Sequence, residues 1–140
     1  MMVGILHNIR SLHNVGSIFR TADAAGISKL YLYGVTPAPL DEFGEIRPQI
    51  AKVALGAERT VAWEHVAQIP CVVSRLKRDG YRIVAVEIAS GAMPYHRFVP
   101  PDNAHLALIV GHETRGLPKS VLDRVDEVIC IPMFGKKESL

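Results

Sequence analysis

The stretch that most constrains this chain runs from His105 to Pro118, His-Leu-Ala-Leu-Ile-Val-Gly-His-Glu-Thr-Arg-Gly-Leu-Pro. Leu106 to Val110 is an unbroken apolar run, the pattern of a strand covered on both faces of a sheet. Gly111 ends the run and permits a turn or a backbone approach that a Cβ would block. Glu113 and Arg115 follow at once. In open α/β sheets, ligands bind beyond the carboxyl ends of strands. A carboxylate and a guanidinium at that place mark a candidate ligand loop. Pro118 suits the first turn of a following helix. The plainer alternative is an ordinary strand-to-helix turn with solvated charges.

The rest of the chain supplies partners for such a strand. Met2 to Leu6 reads as a strand. A helix is predicted from Val15 to Ala25, with Asn14 as its N-cap and Gly26 as its stop. Val15, Ile18, Phe19 and Ala22 recur at helical spacing and form its buried stripe. Arg20 lies about 140° from Val15, off that stripe, so it faces solvent, a ligand or another chain. Leu30 to Tyr33 is a second strand, followed by a long loop from Gly34 to Pro48. Then come a helix over Gln49 to Leu55, a short strand over Arg59 to Trp63, and a helix over Val72 to Asp79. Arg82 to Glu87 is a strand, and Ala89 to Asp102 a loop. Beyond the opening stretch, Lys119 to Val125 is a helix and Glu127 to Ile131 a final strand. This alternation predicts a single α/β domain with a mostly parallel sheet and helices on both faces.

Composition excludes several function classes. Hydrophobic residues make up 49% of the 140, too many for a disordered chain. No apolar run reaches the ~18 residues of a membrane-spanning helix. Met1 to Arg10 lacks a signal-peptide core, which points to the cytoplasm. Cys71 and Cys130 read as two buried free thiols. The net charge of +2 does not by itself identify a nucleic-acid partner, so RNA contact would need a local cluster or a dimer surface. Gly111 to Gly116 has the spacing of a phosphate loop, but Leu117 stands where a lysine is required. No G-x-G-x-x-G and no G-x-S-x-G occurs. Ser74 to Lys77 matches S-x-x-K only within a helix. Six histidines are scattered without paired-ligand spacing, so no metal is expected.

Three stretches together resemble one family. They are Asn14-Val-Gly-Ser-Ile-Phe-Arg20-Thr-Ala-Asp-Ala-Ala-Gly26, Leu108-Ile-Val-Gly-His-Glu113-Thr-Arg-Gly-Leu-Pro118, and Ile131-Pro-Met133 with Gly135 and Glu138-Ser-Leu140. In order and spacing they are similar to the SpoU (TrmH-like) branch of the SPOUT RNA methyltransferases. The resemblance implies a homodimer with a C-terminal trefoil knot. It also implies methyl transfer from S-adenosylmethionine to a ribose 2′-hydroxyl of tRNA or rRNA. By the same resemblance the cofactor sits between three strand-end loops. These match Glu87, Ile88 and Ala89 (on to Gly91), Val110, Gly111 and His112, and the segment from Ile131 through Met133 to Leu140. Backbone groups there would hold adenine and ribose, and Ile131, Met133 and Leu140 would form apolar walls.

The resemblance also assigns roles. Arg20 matches the family's catalytic arginine. A guanidinium stays charged in proteins, so it would stabilise a developing oxyanion or hold a phosphate rather than act as a literal base. Glu113 matches the motif carboxylate and would orient Arg20 or Asn14. Asn14 matches the motif asparagine, and Ser139 the third motif's serine. The family pattern continues Ser-Leu-Asn into a helix that completes the knot, whereas this sequence stops at Leu140. The expectation is therefore a domain over 1–140 without its C-terminal helix. The alternative is a non-catalytic RNA-binding dimer that uses Arg10, Arg47, Lys52, Arg97, Arg115 and Lys119 as a phosphate surface.

Overall fold

A computed structural model describes residues 1–136. In chain order the elements are β1 (Met2–His7), α1 (Leu12–Ala24), β2 (Lys29–Tyr33), α2 (Pro48–Ala54), α3 (Ala57–Thr60), β3 (Ala62–Val66) and α4 (Ile69–Arg78). They continue with β4 (Tyr81–Val86), β5 (Met93–Pro94), a 3-10 turn (Tyr95–Arg97), β6 (His105–Val110), α5 (Lys119–Leu122) and β7 (Glu127–Cys130). The strands form one sheet in the order β3-β2-β1-β6-β4-β7-β5, and every pairing is parallel.

Period-two alternation divides the sheet between two cores. Val3 and Ile5 of β1 join Ile83, Ala85, Ala107 and Ile109 on one face. There they meet α4, whose Ile69, Val72, Val73 and Leu76 recur at helical spacing. Leu6 points the other way, with Leu30 and Leu32, onto Val15, Phe19 and Ala22 of α1 and Ile50 and Ala54 of α2. Phe19 is fully buried, and such a side chain contributes roughly 1.5–3 kcal/mol through burial.

The strand order positions the site. β6 is inserted between β1 and β4, and β7 between β4 and β5, although each forms later in the chain. Because all strands are parallel, the loops leaving β2, β1, β6, β4 and β7 emerge side by side along one edge. This is where the sequence placed its candidate loops.

Several local expectations are corrected. α1 begins at Leu12, and its N-cap is Ser11, not Asn14. Asn14 lies in the first turn, where its backbone N–H donates to Ser11 Oγ at 3.1 Å. The strand expected over Arg59 to Trp63 is instead helix α3 followed by β3 at Ala62–Val66. Glu58 is buried, and its carboxylate accepts the Gly56 N–H at 2.9 Å, fixing the start of that helical turn. Cys71 is exposed, against the expectation of a buried thiol, because it lies off the apolar stripe of α4; Cys130 is half-buried, and both thiols are free. β6 buries only Ala107 and Ile109 fully, so its second face is partly covered rather than sealed. The loop over Ala89 to Asp102 contains the short strand β5 and the 3-10 turn.

Candidate active site

The carboxylate of Glu113 ties the end of β6 to the start of α1. Glu113 Oε1 accepts the Ser11 backbone N–H at 3.0 Å and Asn14 Nδ2 at 3.3 Å. Oε2 accepts the Arg10 backbone N–H at 3.3 Å. Asn14 occupies the third helical position after the Ser11 cap. A glutamate there normally reaches back to the cap's own N–H. Here Glu113, far away in sequence, performs that reciprocal contact, and Asn14 turns to support it. A carboxylate at this end of a 13-residue helix also complements the helix dipole. Burial alone would favour the protonated acid. The N–H of Ser11, Glu113's own N–H, the N–H of Arg10 and the Asn14 amide outweigh it and hold the carboxyl below its ordinary range.

The loop that carries Glu113 is fixed from within. Gly111 has no room for a Cβ, which would lie 2.7 Å from the Gly116 carbonyl carbon. The Gly116 N–H donates to the His112 carbonyl at 2.9 Å. A recess of about 330 Å³ opens beside Glu113 and is lined by Arg10, Ser11, His112 and Thr114.

The loops expected to hold the cofactor leave three adjacent strands, β6, β4 and β7. Ile88 is 55% and Ile131 41% exposed, an unusual fate for isoleucine beside paired strands. Apolar surface there, next to strand-end backbone, fits an adenosine-bearing cofactor held largely by backbone groups. Met133 and Ala89 are half-buried in the same region. The Glu87 carboxylate is engaged within the protein, whereas the resemblance assigns the cofactor to backbone groups of this loop. That carboxylate accepts the Leu117 N–H at 2.7 Å and the Ile88 N–H at 2.8 Å.

The structure thus gathers Asn14, Glu113, Gly111 and His112. It does not bring Arg20 to them. Arg20 is exposed on α1, about 9 Å along the axis and about 120° around from Asn14. Among the described residues Arg20 makes no ion pair. Ser139 and Leu140 lie outside the described residues. Sequence reasoning missed the backbone donors of Arg10 and Ser11. It had one signal for them: Ser11 also suits a helix N-cap.

The comparisons with known proteins bear on the family and the fold. The model of the SpoU rRNA Methylase family matches residues 1–140. The 23S rRNA (guanosine-2′-O-)-methyltransferase RlmB of Neisseria meningitidis serogroup B is 32% identical over 136 residues, covering 97% of this chain and 51% of that protein. The AdoMet-bound rRNA methyltransferase from Sinorhizobium meliloti superposes with a TM-score of 0.86 at 26% identity, over 99% of this chain and 50% of that one. The TrmH/SpoU tRNA modifying enzyme from A. aeolicus gives 0.81 at 26% identity, over 99% and 66%. The chain spans about half the length of the curated relatives it matches. A match along the whole chain, together with a shared fold, establishes the family: the chain belongs to the SpoU rRNA methylases, the SpoU/TrmH family of SPOUT methyltransferases.

Proposed function

We propose that this chain is an S-adenosylmethionine-dependent RNA methyltransferase that modifies a ribose 2′-hydroxyl of tRNA or rRNA. The observation that carries the reading is the Glu113 clamp. It joins the two motif loops through Ser11, Arg10 and Asn14, at the strand edge where a ligand is expected.

S-adenosylmethionine would supply the methyl group on a positively charged sulfur. The receiving ribose hydroxyl must lose its proton as the new O–C bond forms, and it is a poor nucleophile until that charge is met. Glu113, which lines the recess, holds Asn14, so the amide is a fixed hydrogen-bonding group. Arg20 is the cationic group for the developing oxyanion or for an adjacent phosphate. Within one subunit it stands away from Glu113. Its exposure and its lack of an ion pair among the described residues support a homodimer in which it serves a site shared with the partner subunit. Among the described residues no helix is long and apolar enough to cross a membrane. The tRNA and rRNA substrates proposed for it place the reaction in the cytoplasm.

Isothermal titration with S-adenosylmethionine and with its demethylated product tests the cofactor assignment. Binding of both that Gly111→Trp abolishes in a folded protein is the expected result. Unchanged binding in that variant removes the site from this loop. Sedimentation of the wild-type chain tests the dimer.

A further inference from the structure

A second cavity adjoins the recess beside Glu113 and reaches the ends of β1 and β2. It measures about 320 Å³, and its lining includes His7, Arg10, Val35, His112, Arg115 and Pro118. That is the small end of ligand pockets, the scale of one ring system with its sugar. It sits over the ends of β1 and β6, and the loop after β6, His112 included, is common to it and to the proposed cofactor loops, which leave β6, β4 and β7. It shares Arg10 and His112 with the recess beside Glu113, so a ligand could run from one to the other.

Two of the residues that line this cavity, His7 and His112, each hold one buried ring nitrogen without a partner. His112 Nδ1 accepts the backbone N–H of Thr114 at 3.1 Å and of Arg115 at 3.3 Å. A ring nitrogen that receives two N–H groups carries no proton itself, so in the neutral ring the proton is on Nε2. That Nε2–H is buried and makes no hydrogen bond. His7 is only 6% exposed, and its Nδ1 is likewise without a partner. Burial lowers the His7 pKa, and a contact with its own backbone, short of hydrogen-bond geometry, opposes this more weakly. The ring therefore stays neutral and offers directional hydrogen bonding rather than charge. Native structures rarely leave buried donors and acceptors unmatched, and such groups call for a ligand or a water.

The walls and rim complete the description. Val35 and Pro118 give the wall apolar surface, and the His7 ring in that wall is itself packed against Tyr33, centroids 4.8 Å apart. Arg10 and Arg115 are both exposed. Neither forms an ion pair among the described residues, and no carboxylate lines the cavity. Flat apolar walls, two unmatched ring nitrogens and two free guanidinium groups suit a planar heterocycle flanked by phosphates.

We propose that this cavity seats the nucleobase of the nucleotide being methylated, making His7 and His112 its specificity-determining residues. The His112 Nε2–H donates to an acceptor on the base edge, His7 Nδ1 meets a second polar atom, and Arg10 and Arg115 hold the flanking phosphates. The assignment rests on the RNA methyltransferase reading and goes further by naming what selects the base.

The test is imidazole-region ¹H–¹⁵N NMR of the ¹⁵N-labelled chain, titrated with each of the four nucleoside 5′-monophosphates, with inorganic phosphate and S-adenosylmethionine as controls. The expected result is movement of the His112 and His7 ring signals with at least one mononucleotide, retained when the cofactor is saturating and absent with phosphate alone. Three results overturn the proposal: no movement with any mononucleotide, equal movement with phosphate, or displacement of the mononucleotide by the cofactor. Cofactor calorimetry and methyl transfer to RNA, run in parallel, separate the two claims. If both succeed while the ring signals stay fixed, only the base pocket fails; if both fail, the methyltransferase reading falls. A second readout is His7→Leu, checked for folding by thermal melting. It should change the ratio of kcat/KM between RNAs differing only at the modified base by roughly tenfold or more. An unchanged ratio in a folded variant also overturns the assignment.

Discussion

Two glutamates hold strand-end loops in this molecule, and they do so differently. Glu113, beyond β6, takes the N–H groups of Arg10 and Ser11 and the side chain of Asn14. Glu87, beyond β4, takes the N–H groups of Leu117 and Ile88 and no side chain. The Glu87 carboxylate fills the space over Gly116, where a Cβ would lie 2.3 Å from Oε2. Glu113 borders an open recess instead. A carboxylate saturated by backbone donors with no space beside it is a brace. One that borders a recess and also holds a side-chain amide is a brace and a candidate for the site. The family resemblance gave Glu87 to a cofactor loop and Glu113 to the catalytic group, and the geometry adds that both carboxylates are engaged in holding loops.

The largest expected effect is on turnover at the Glu113 end. Glu113→Ala should lower methyl transfer ~100-fold or more, the scale of losing one transition-state stabilising group. It should also lower stability by about 1–3 kcal/mol, because the Arg10 and Ser11 N–H groups lose their partner. Arg20→Ala should lose a similar factor in turnover, yet shift stability within ~0.5 kcal/mol, as exposed substitutions do. Single-turnover rates beside urea melts separate the two variants. Equal stability losses would erase the distinction between a site held by the fold and one presented from a helix surface.

The Glu87 end should respond in the opposite sense. Gly116 has φ +64°, and a Cβ there would collide with Glu87. Gly116→Ala is expected to cost about 1–3 kcal/mol through backbone strain, with the steric conflict adding to it. Glu87→Ala should cost about 1–3 kcal/mol by leaving the Leu117 N–H unpaired. Saturating cofactor should recover most of its turnover. A ~100-fold loss at saturation in folded Glu87→Ala would show that this carboxylate takes part in the reaction.

The smallest effect is a pH dependence. The Glu113 carboxyl is held below its ordinary value of 4.5 in the folded protein. Its stabilising contribution is therefore complete above about 4.5 and is lost as pH falls through the lower folded value. Glu113→Gln should show a constant stability deficit near neutral pH that shrinks on acidification below about 4.5. A deficit independent of pH would mean the carboxylate is not specially held.

The main layout was legible because periodicity reports burial. The stripe of Val15, Phe19 and Ala22 marked α1, and the run ending at Gly111 marked β6. Asn14 was misread as the cap because Ser11 and Asn14 both favour that position. A carboxylate some hundred residues away decides between them. The Arg59–Trp63 assignment placed the strand too early, since the buried Glu58 contact fixes a helical turn over Ala57–Thr60 and the strand begins only at Ala62. Cys71 was open to a better reading, because the stripe of Ile69, Val72, Val73 and Leu76 already excludes it. The unmatched nitrogens of His7 and His112 had no sequence signal, because they depend on how a tight loop spends its own N–H groups.

The central claim is ribose methylation at a site organised by Glu113. The most direct test incubates the protein with S-adenosylmethionine and a panel of tRNA and rRNA fragments, then maps the methyl group by mass spectrometry after alkaline hydrolysis. The predicted result is a methyl on a ribose O2′, seen as an alkali-resistant linkage at one position and reduced ~100-fold or more in Glu113→Ala. A methyl found on a base, or full ribose methylation by folded Glu113→Ala, would contradict it.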